Sequence, residues 1–371
     1  MEPLAGRVVH ISFFPFPHFP PSGDAAGMTV DDATSTSTAR PRLISGVMAL
    51  QRNHTDVQIG LDPQHGVVVN NLPPVVARLL RSLDGTATLT ALVERAGTHA
   101  PVLRRVLRTL ASRGLLTDAR TIPDRSSVQR QAVALWAMRT CVPHEVFMQR
   151  LEQASVTVNG EGGLAVAVAQ LLAACGVGHV AAESAGKVTQ SEIGMSYQWD
   201  DVGRRRRDAI ATAVSSANPA TATTPVPSDR GPDLLVLTDT LVLPPHRVDQ
   251  LMGERQPHLP ARFRDGVGVV GPLVLPGRTS CLRCADLHRC DLDRAWPRVA
   301  NQLIGRTGRA DPASTHATAA LTVGQVLRAV QDGGEHPPLW NATLELDLAS
   351  GNVTRRTWLP HPRCTCGAPP G

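Results

Sequence analysis

Lysine is almost missing from this sequence: Lys187 stands alone among 37 basic residues, and the rest are arginine. Aromatics are scarce as well, at 3% of 371 residues with a single tyrosine, so the cores rest on Leu, Val, Ala and Ile. No run of about 18 apolar residues occurs, which excludes a transmembrane helix. The N-terminus lacks the basic start, apolar stretch and cleavage site of a signal peptide. These absences point to the cytoplasm. Neither sign of charge dominates strongly. A net charge of +5 and a pI near 9.1 permit an acidic peptide, nucleotide or nucleic acid as partner and demand none. Cysteine occurs seven times, an odd number that suits metal binding in a reducing compartment better than a disulfide framework.

Four of the seven fall in two close pairs. Cys281 and Cys284 follow the Pro-Gly turn of GPLVLPGRTSCLRC, and Cys364 and Cys366 lie in HPRCTCG near the C-terminus. Two thiol pairs far apart in sequence, with one or two residues inside each pair, match a tetrahedral four-cysteine zinc site that ties the end of the chain to its middle. A disulfide within the set, or unrelated thiols, would fit the same spacing. Cys290, in LHRCDLDRAW, reads as a helix thiol rather than a nucleophile.

A chain of this length holds two or three domains. Residues 1–40, with the proline-broken FFPFPHFPP and the low-complexity TSTSTARPR, read as disordered, and Met28 is an alternative start to Met1. Residues 41–118 read as a small α+β module. Three short strands lie in ISGVMALQR, TDVQIGLDP and GVVVNNLP, and helices follow over 73–83, 88–96 and 101–113. Apolar residues recur at helical spacing in the first helix (Val75, Val76, Leu79, Leu80) and the third (Val102, Leu103, Val106, Leu107, Leu110). Thr86 or Thr88 caps the second, and Gly114 ends the third. Three strands and three helices make a winged-helix-like module. A DNA-binding protein would use the same third helix, but no further basic cluster marks a phosphate track, so nucleic acid is not the expected partner. Residues 119–150 read as a helical linker.

From 151 to 371 the pattern is α/β. The strand Val156–Val158 runs into a glycine turn and a helix, which Gly176 and Gly178 end before a second strand: the opening βαβ of a Rossmann-like unit. Gly160, Gly162 and Gly163 would let the backbone approach a phosphate at the helix N-terminus, and Glu183 stands where an acid would take a ribose hydroxyl. The same glycines would serve tight packing alone, and Glu161 puts a negative charge in the loop. A helix is expected over 201–216, capped by Asp200 or Asp201. The run Arg204 to Arg207 lies near its start, where positive charge opposes the helix dipole. That run would meet phosphate or an acidic partner, or form a solvated face. A strand over 233–237 leads to Asp239 at the C-terminal edge of the sheet, where ligands and metals sit, and where a turn or cap acid would sit too. Further strands are expected over 258–263 and 267–270, helices over 284–303 and 310–331, and a last hairpin of 342–348 with 354–358 that delivers the final cysteines.

Two resemblances rest on these motifs. LDPQHGVVVNNLP, LLRSLDG and GLLTD make residues 41–118 similar to the PqqD-like recognition domain of ribosomal-peptide modification systems. That likeness implies a leader peptide added as a strand to the sheet edge, here at Val67, Val68 and Val69. It would also meet the third helix, whose Arg104, Arg105 and Arg108 suit an acidic leader. The order of glycine turn, acidic strand end, DVG-basic helix, LLVLTDT, GPLVLPG, CLRC and C-terminal thiols resembles the ThiF/MoeB ubiquitin-activating-like superfamily. More narrowly, it resembles an actinobacterial branch of azole-forming (TOMM) cyclodehydratase or leader-peptide-binding proteins. The resemblance covers roughly 41–370.

Adenylating members of that superfamily bind ATP and magnesium at positions matched here by Gly160, Gly162, Gly163, Glu183, Arg206 and Asp239. This chain departs from their pattern. VTQSEIGMSYQ holds no match for their arginine and asparagine, Glu183 replaces an aspartate, Arg206 replaces a lysine, and no cysteine sits at an acyl-acceptor position. The resemblance therefore implies a non-catalytic, zinc-containing scaffold, homodimeric, that binds a precursor leader peptide. A separate YcaO-type enzyme would use the ATP and form the thiazole or oxazole rings. The alternative is an enzyme that adenylates a peptide or protein C-terminal carboxylate.

Overall fold

The computed structural model describes residues 9–13, 38–62, 65–121, 127–140, 142, 144–194, 196–225, 231–331 and 339–369. The chain divides into two compact units, Met1–Met148 and Gln149–Gly371.

The first unit has strands β1 (His10–Phe13), β2 (Pro41–Leu43), β3 (Ala49–Gln51), β4 (Val57–Ile59), β5 (Val67–Asn70) and β6 (Leu116–Asp118). Its helices are α1 (Pro74–Arg81), α2 (Leu89–Ala96), α3 (Ala100–Ser112) and α4 (Ser127–Thr140); α5 (His144–Gln153) crosses the boundary between units. The strands β1-β5-β4-β3 form an antiparallel sheet, and β2 pairs with β6. Val76, Leu79 and Leu80 of α1, and Leu103, Val106, Leu107 and Leu110 of α3, recur every three or four residues, so each helix turns one apolar stripe inward. They meet Val57, Ile59, Val67 and Val69 in one core. Thr88 caps α2 by accepting from the Ala91 N–H at 3.2 Å, and Gly114, at φ +66°, lets the chain leave α3 for β6.

Two features differ from the sequence expectation. Ala134 and Met138 of α4 belong to this core, so the middle of the expected 119–150 linker packs with the module. His10–Phe13, inside the segment expected to be disordered, forms β1 on the outer edge of β5, with Ile11 opposite Val69. Residues 1–8 and 14–37 lie outside the described residues, Met28 among them.

The second unit is built on a seven-stranded sheet. Its strands are β7 (Ser155–Asn159), β8 (His179–Glu183), β9 (Leu234–Thr238), β10 (His258–Arg264), β11 (Val267–Val270), β12 (Ala342–Asp347) and β13 (Asn352–Thr357), in the order β13-β12-β11-β10-β9-β7-β8. Strands β8, β7, β9 and β10 run parallel, and the remainder are antiparallel. After β7 the chain moves outward to β8, then returns to the other side at β9. The C-terminal ends of β7 and β9 therefore flank the point where the strand order reverses, which is where ligands collect in open α/β sheets.

The helices are α6 (Gly163–Ala174), α7 (Arg206–Ala217), α8 (Pro245–Gly253), α9 (Leu282–Leu292), α10 (Trp296–Leu303) and α11 (Pro312–Gln331). Helix α6 packs on β7 and β8 and on α7 and α11, which accounts for its being apolar nearly all round. The single helix expected over 284–303 is two, because Pro297 has no N–H to continue a helix interior but fits the first turn of α10. The helix expected at 201 begins at 206. Asp201 is spent on an earlier 3₁₀ turn, accepting from the Gln198 N–H at 2.9 Å, and Gly203 at φ +83° separates turn from helix.

Among the described residues no helix is long and apolar enough to cross a membrane. His258, on β10, is completely buried with Nδ1 2.9 Å from the Gln256 carbonyl, and burial pushes its pKa down to about 4. The unfolded chain takes up this proton near pH 6.5 while the folded chain refuses it, so stability falls as pH drops from about 6.5 to 4. The expected loss is about 3 kcal/mol in urea unfolding, and His258→Asn should flatten that limb; an unchanged acid slope in the variant would remove His258 as its cause.

Candidate functional site

The turn after β7 and the end of β9 meet through one carboxylate. Gly160–Gly162 form the turn, and Gly162 is the N-cap of α6. At the end of β9 Asp239 adopts a left-handed backbone, φ +72°. Its N–H donates to the Ala261 carbonyl at 3.1 Å and its own carbonyl accepts from Gly308 N–H at 3.1 Å, so the conformation is held from both sides. The side chain turns inward. Oδ2 accepts from the N–H groups of Glu161 (3.0 Å) and Gly162 (2.9 Å), and from Thr238 Oγ1 (3.1 Å). Orphan amides at a helix N-terminus favour an anion, and here the chain's own carboxylate supplies it. Burial raises the Asp239 pKa, against the pull of the three donors.

The glycines answer to this contact. A Cβ on Gly160 would lie 1.8 Å from Thr238 Oγ1, and one on Gly162 would lie 3.0 Å from Asp239 Oδ1. Gly163 is the first residue of α6 and is buried. Glu183 ends β8 with its side chain exposed, accepting from Asn159 Nδ2 at 2.9 Å. Arg206, the first residue of α7, makes a two-pronged contact with Glu192 at 3.0 and 3.1 Å, donates to the Ala185 carbonyl at 2.8 Å, and lies 3.6 Å from Glu161. Burial alone would lift the Glu192 carboxyl; Arg206 and Thr189 overcome this and hold it below its usual range. The buried Tyr197 hydroxyl donates to the Glu161 carbonyl at 3.0 Å, and burial pushes its pKa up.

The structure thus gathers the glycine turn, Glu183, Arg206 and Asp239 around the ends of three adjacent parallel strands. Sequence reasoning missed Glu192 and Tyr197. Thr189 and Glu192 carried a visible signal, the Thr-x-x-Glu spacing of a capping box, which does form here. Two of the neighbouring arginines have acidic partners: Arg204 reaches Asp201 at 2.7 Å and Arg207 lies 3.4 Å from Asp208. In the first unit, Val67, Val68 and Val69 are buried with their strand edge paired to β1, and Arg104, Arg105 and Arg108 are exposed along α3.

A second constellation lies at the other end of the chain's span. Cys281 caps α9, Cys284 sits in its first turn, and Cys364 and Cys366 follow β13. All four Sγ atoms lie within 4.8 Å of one another. Cys281–Cys284 is 3.8 Å, and Cys281–Cys364 and Cys284–Cys366 are each 3.6 Å. A tetrahedron of Zn–S bonds of about 2.3 Å has edges of about 3.8 Å, which these spacings fit, whereas a disulfide needs about 2.05 Å. Hydrogen bonding from Cys281 pulls the Cys284 thiol down, and the same bond together with burial pushes the Cys281 thiol up. The tail is fastened to α9 beside the cluster: His361 Nε2 meets Asp291 at 2.8 Å, and His288 Nε2 meets the Leu359 carbonyl at 2.9 Å. Cys290 is a half-buried residue of α9 outside the cluster.

With this geometry in place, comparisons locate the fold. Residues 136–244 match the ThiF family. No curated protein matches the sequence. Among solved structures, Escherichia coli MccB with ATP is similar at 16% identity, covering 88% of this chain and 99% of that one, with a TM-score of 0.65. The microcin C7 biosynthetic enzyme MccB in complex with N-formylated MccA covers the same shares at 16% identity and a TM-score of 0.62. PaaA is similar at 19% identity, covering 84% of this chain and 98% of that one, with a TM-score of 0.60. At these identities the likeness shows a shared fold.

Removing the Asp239 carboxylate should leave the partly buried Glu161 and Gly162 amides without their side-chain acceptor. Asp239→Ala is expected to lose about 1–3 kcal/mol in urea unfolding at pH 7; an unmoved midpoint would mean that the clamp contributes nothing.

Proposed function

We propose that this ThiF-type chain is a scaffold that binds a precursor peptide for a ribosomal-peptide modification system and does not itself use ATP. The observation that carries this reading is the Asp239 carboxylate on the glycine-turn amides, with Arg206 held by Glu192 and Glu161. The groups an adenylating enzyme would turn toward phosphate and magnesium are engaged with one another. The shared fold with MccB, which has been solved with N-formylated MccA, supports a peptide-handling role. The module of 41–118 would act as a winged-helix-like, PqqD-like recognition element, with the α3 arginines meeting an acidic leader. A YcaO-type partner would then form the azole rings from the presented precursor. Homodimerisation and a cytoplasmic setting belong to the same proposal.

The four cysteines would hold structural zinc. With four thiolates it has no open position, so its part is to cross-link the tail to α9. A structural zinc can supply roughly 10–16 kcal/mol of apparent binding free energy.

The second reading is ATP-dependent adenylation of a C-terminal carboxylate by Gly160, Gly162, Gly163, Glu183, Arg206 and Asp239. The MccB structure with ATP favours it. Calorimetry of ATP with magnesium against the purified protein separates the two. No binding at millimolar ATP is expected; micromolar binding, lost in Asp239→Ala, would favour the enzyme and sink the scaffold. Precursor capture is the second arm: candidate leader peptides should be pulled down by the intact chain and not after deletion of 41–118. Metal analysis should find about one zinc per chain, and chelation or Cys364→Ser with Cys366→Ser should lower Tm; a metal-free protein of unchanged Tm would dismiss the structural ion.

A further inference from the structure

The edge of β5 carries an occupant. Strands β3, β4 and β5 form a meander whose outer edge, at β5, would present a row of unpaired N–H and C=O groups. His10–Phe13 covers it in antiparallel register, with His10 opposite Asn70, Ile11 opposite Val69, Ser12 opposite Val68 and Phe13 opposite Val67. Val9 and Ile11, two residues apart and so on one face of the strand, pack on the core of the unit, while His10 between them is exposed. The hold is slight. Four residues pair and two apolar side chains dock, which is too little for a free peptide to bind tightly. Residues 14–37 join β1 to the rest of the unit in one chain, so its pairing with β5 is intramolecular and does not need the affinity of a free peptide.

We infer that the β5 edge is a strand-accepting site for an extended peptide with two apolar residues separated by one polar residue, and that the chain's own Val9–Phe13 is a resident substitute which such a peptide must displace. The inference rests on the precursor-binding reading and adds to it the anchor pattern and the competition. The apolar side chains dock on the unit's core and the backbone pairs with β5, so strand pairing supplies register and the two anchors supply selection. A resident strand lowers the apparent affinity of an incoming one by the fraction of time it is seated. Weak peptides are thereby excluded, while a peptide with contacts beyond the two anchors gets in.

The probe is a fluorescein-labelled synthetic peptide spanning residues 7–14, RVVHISFF, titrated by anisotropy into two full-length proteins. One is intact and the other carries Val9→Asp with Ile11→Asp, which unseats β1 without touching β5. The variant should bind about tenfold more tightly or better, and a probe with Asp at both anchor positions should bind neither. Equal affinity for both proteins, or no binding by either, overturns the inference. A second pair guards against misfolding: Ser12→Cys with Val68→Cys, cross-strand partners, should form a disulfide on mild oxidation. The stapled chain should exclude the probe, and reduction should restore the intact chain's level. Absence of that disulfide, or undiminished probe binding once stapled, also overturns it. Because the probe is the chain's own sequence, the outcome is independent of any precursor. Success here with failure of leader capture would retire the precursor reading and leave the edge site standing; the reverse would overturn this inference and leave the precursor reading standing.

Discussion

The Asp239 carboxylate is the constraint from which the rest of the sheet's C-terminal edge follows. It bonds the Glu161 and Gly162 amides, so the turn after β7 is drawn onto the end of β9. That approach leaves no room for a Cβ at residue 160 and little at 162. It also gives the N-terminus of α6 a negative partner, which suits the partial positive charge there. Arg206 is then engaged elsewhere, by Glu192 and Glu161 and by the Ala185 carbonyl, and Tyr197 closes the remaining side with its bond to the Glu161 carbonyl. Each of these contacts belongs to the folded protein's own structure, and together they tie the turn after β7, the end of β9 and the start of α7 to one another.

Much of this was legible in the sequence, and the reasons differ by element. The βαβ opening was readable because β7 and β8 are short apolar runs on either side of a helix closed by glycine. The four cysteines were readable because metal chemistry fixes spacing so narrowly. The final hairpin was readable by its alternation and turn. What stayed hidden was side-chain direction. Asp239 lies at the expected edge, but nothing in LLVLTDT says whether its carboxylate faces solvent or the neighbouring turn, since that depends on a left-handed backbone set by Ala261 and Gly308. The same holds for Arg206, whose partner Glu192 is 14 residues away in a short 3₁₀ turn between β8 and α7.

Local signals also competed. Asp200 and Asp201 looked like caps for a long helix because cap residues favour such positions, yet an earlier 3₁₀ turn takes Asp201. Prolines around residues 15–21 suggested an unstructured N-terminus, although the four residues of β1 precede them and need only a free edge to pair with. A propensity scan sees the prolines; it does not see a partner strand some sixty residues away. The resemblance to known families was informative where the chemistry is restrictive, at the thiols and the glycine turn, and silent on which contacts those residues make.

The far edge of the large sheet has a bearing on how the molecule behaves in concentrated solution. Strand β13 is exposed along its whole length, with Arg355 and Arg356 in its middle, and Arg356 reaches across to Glu345 of β12 at 3.1 Å. Among the described residues no strand pairs with the outer side of β13, and an edge of this kind is a template for a second molecule; the two guanidiniums on it add positive charge to that approach, partly offset at Arg356 by Glu345. The protection is electrostatic and has the range of a Debye length, about 10 Å at 0.1 M salt and about 3 Å at 1 M. Added salt therefore weakens the guard on this edge while leaving its backbone groups as ready to pair as before, so colloidal stability and conformational stability should part company as ionic strength rises.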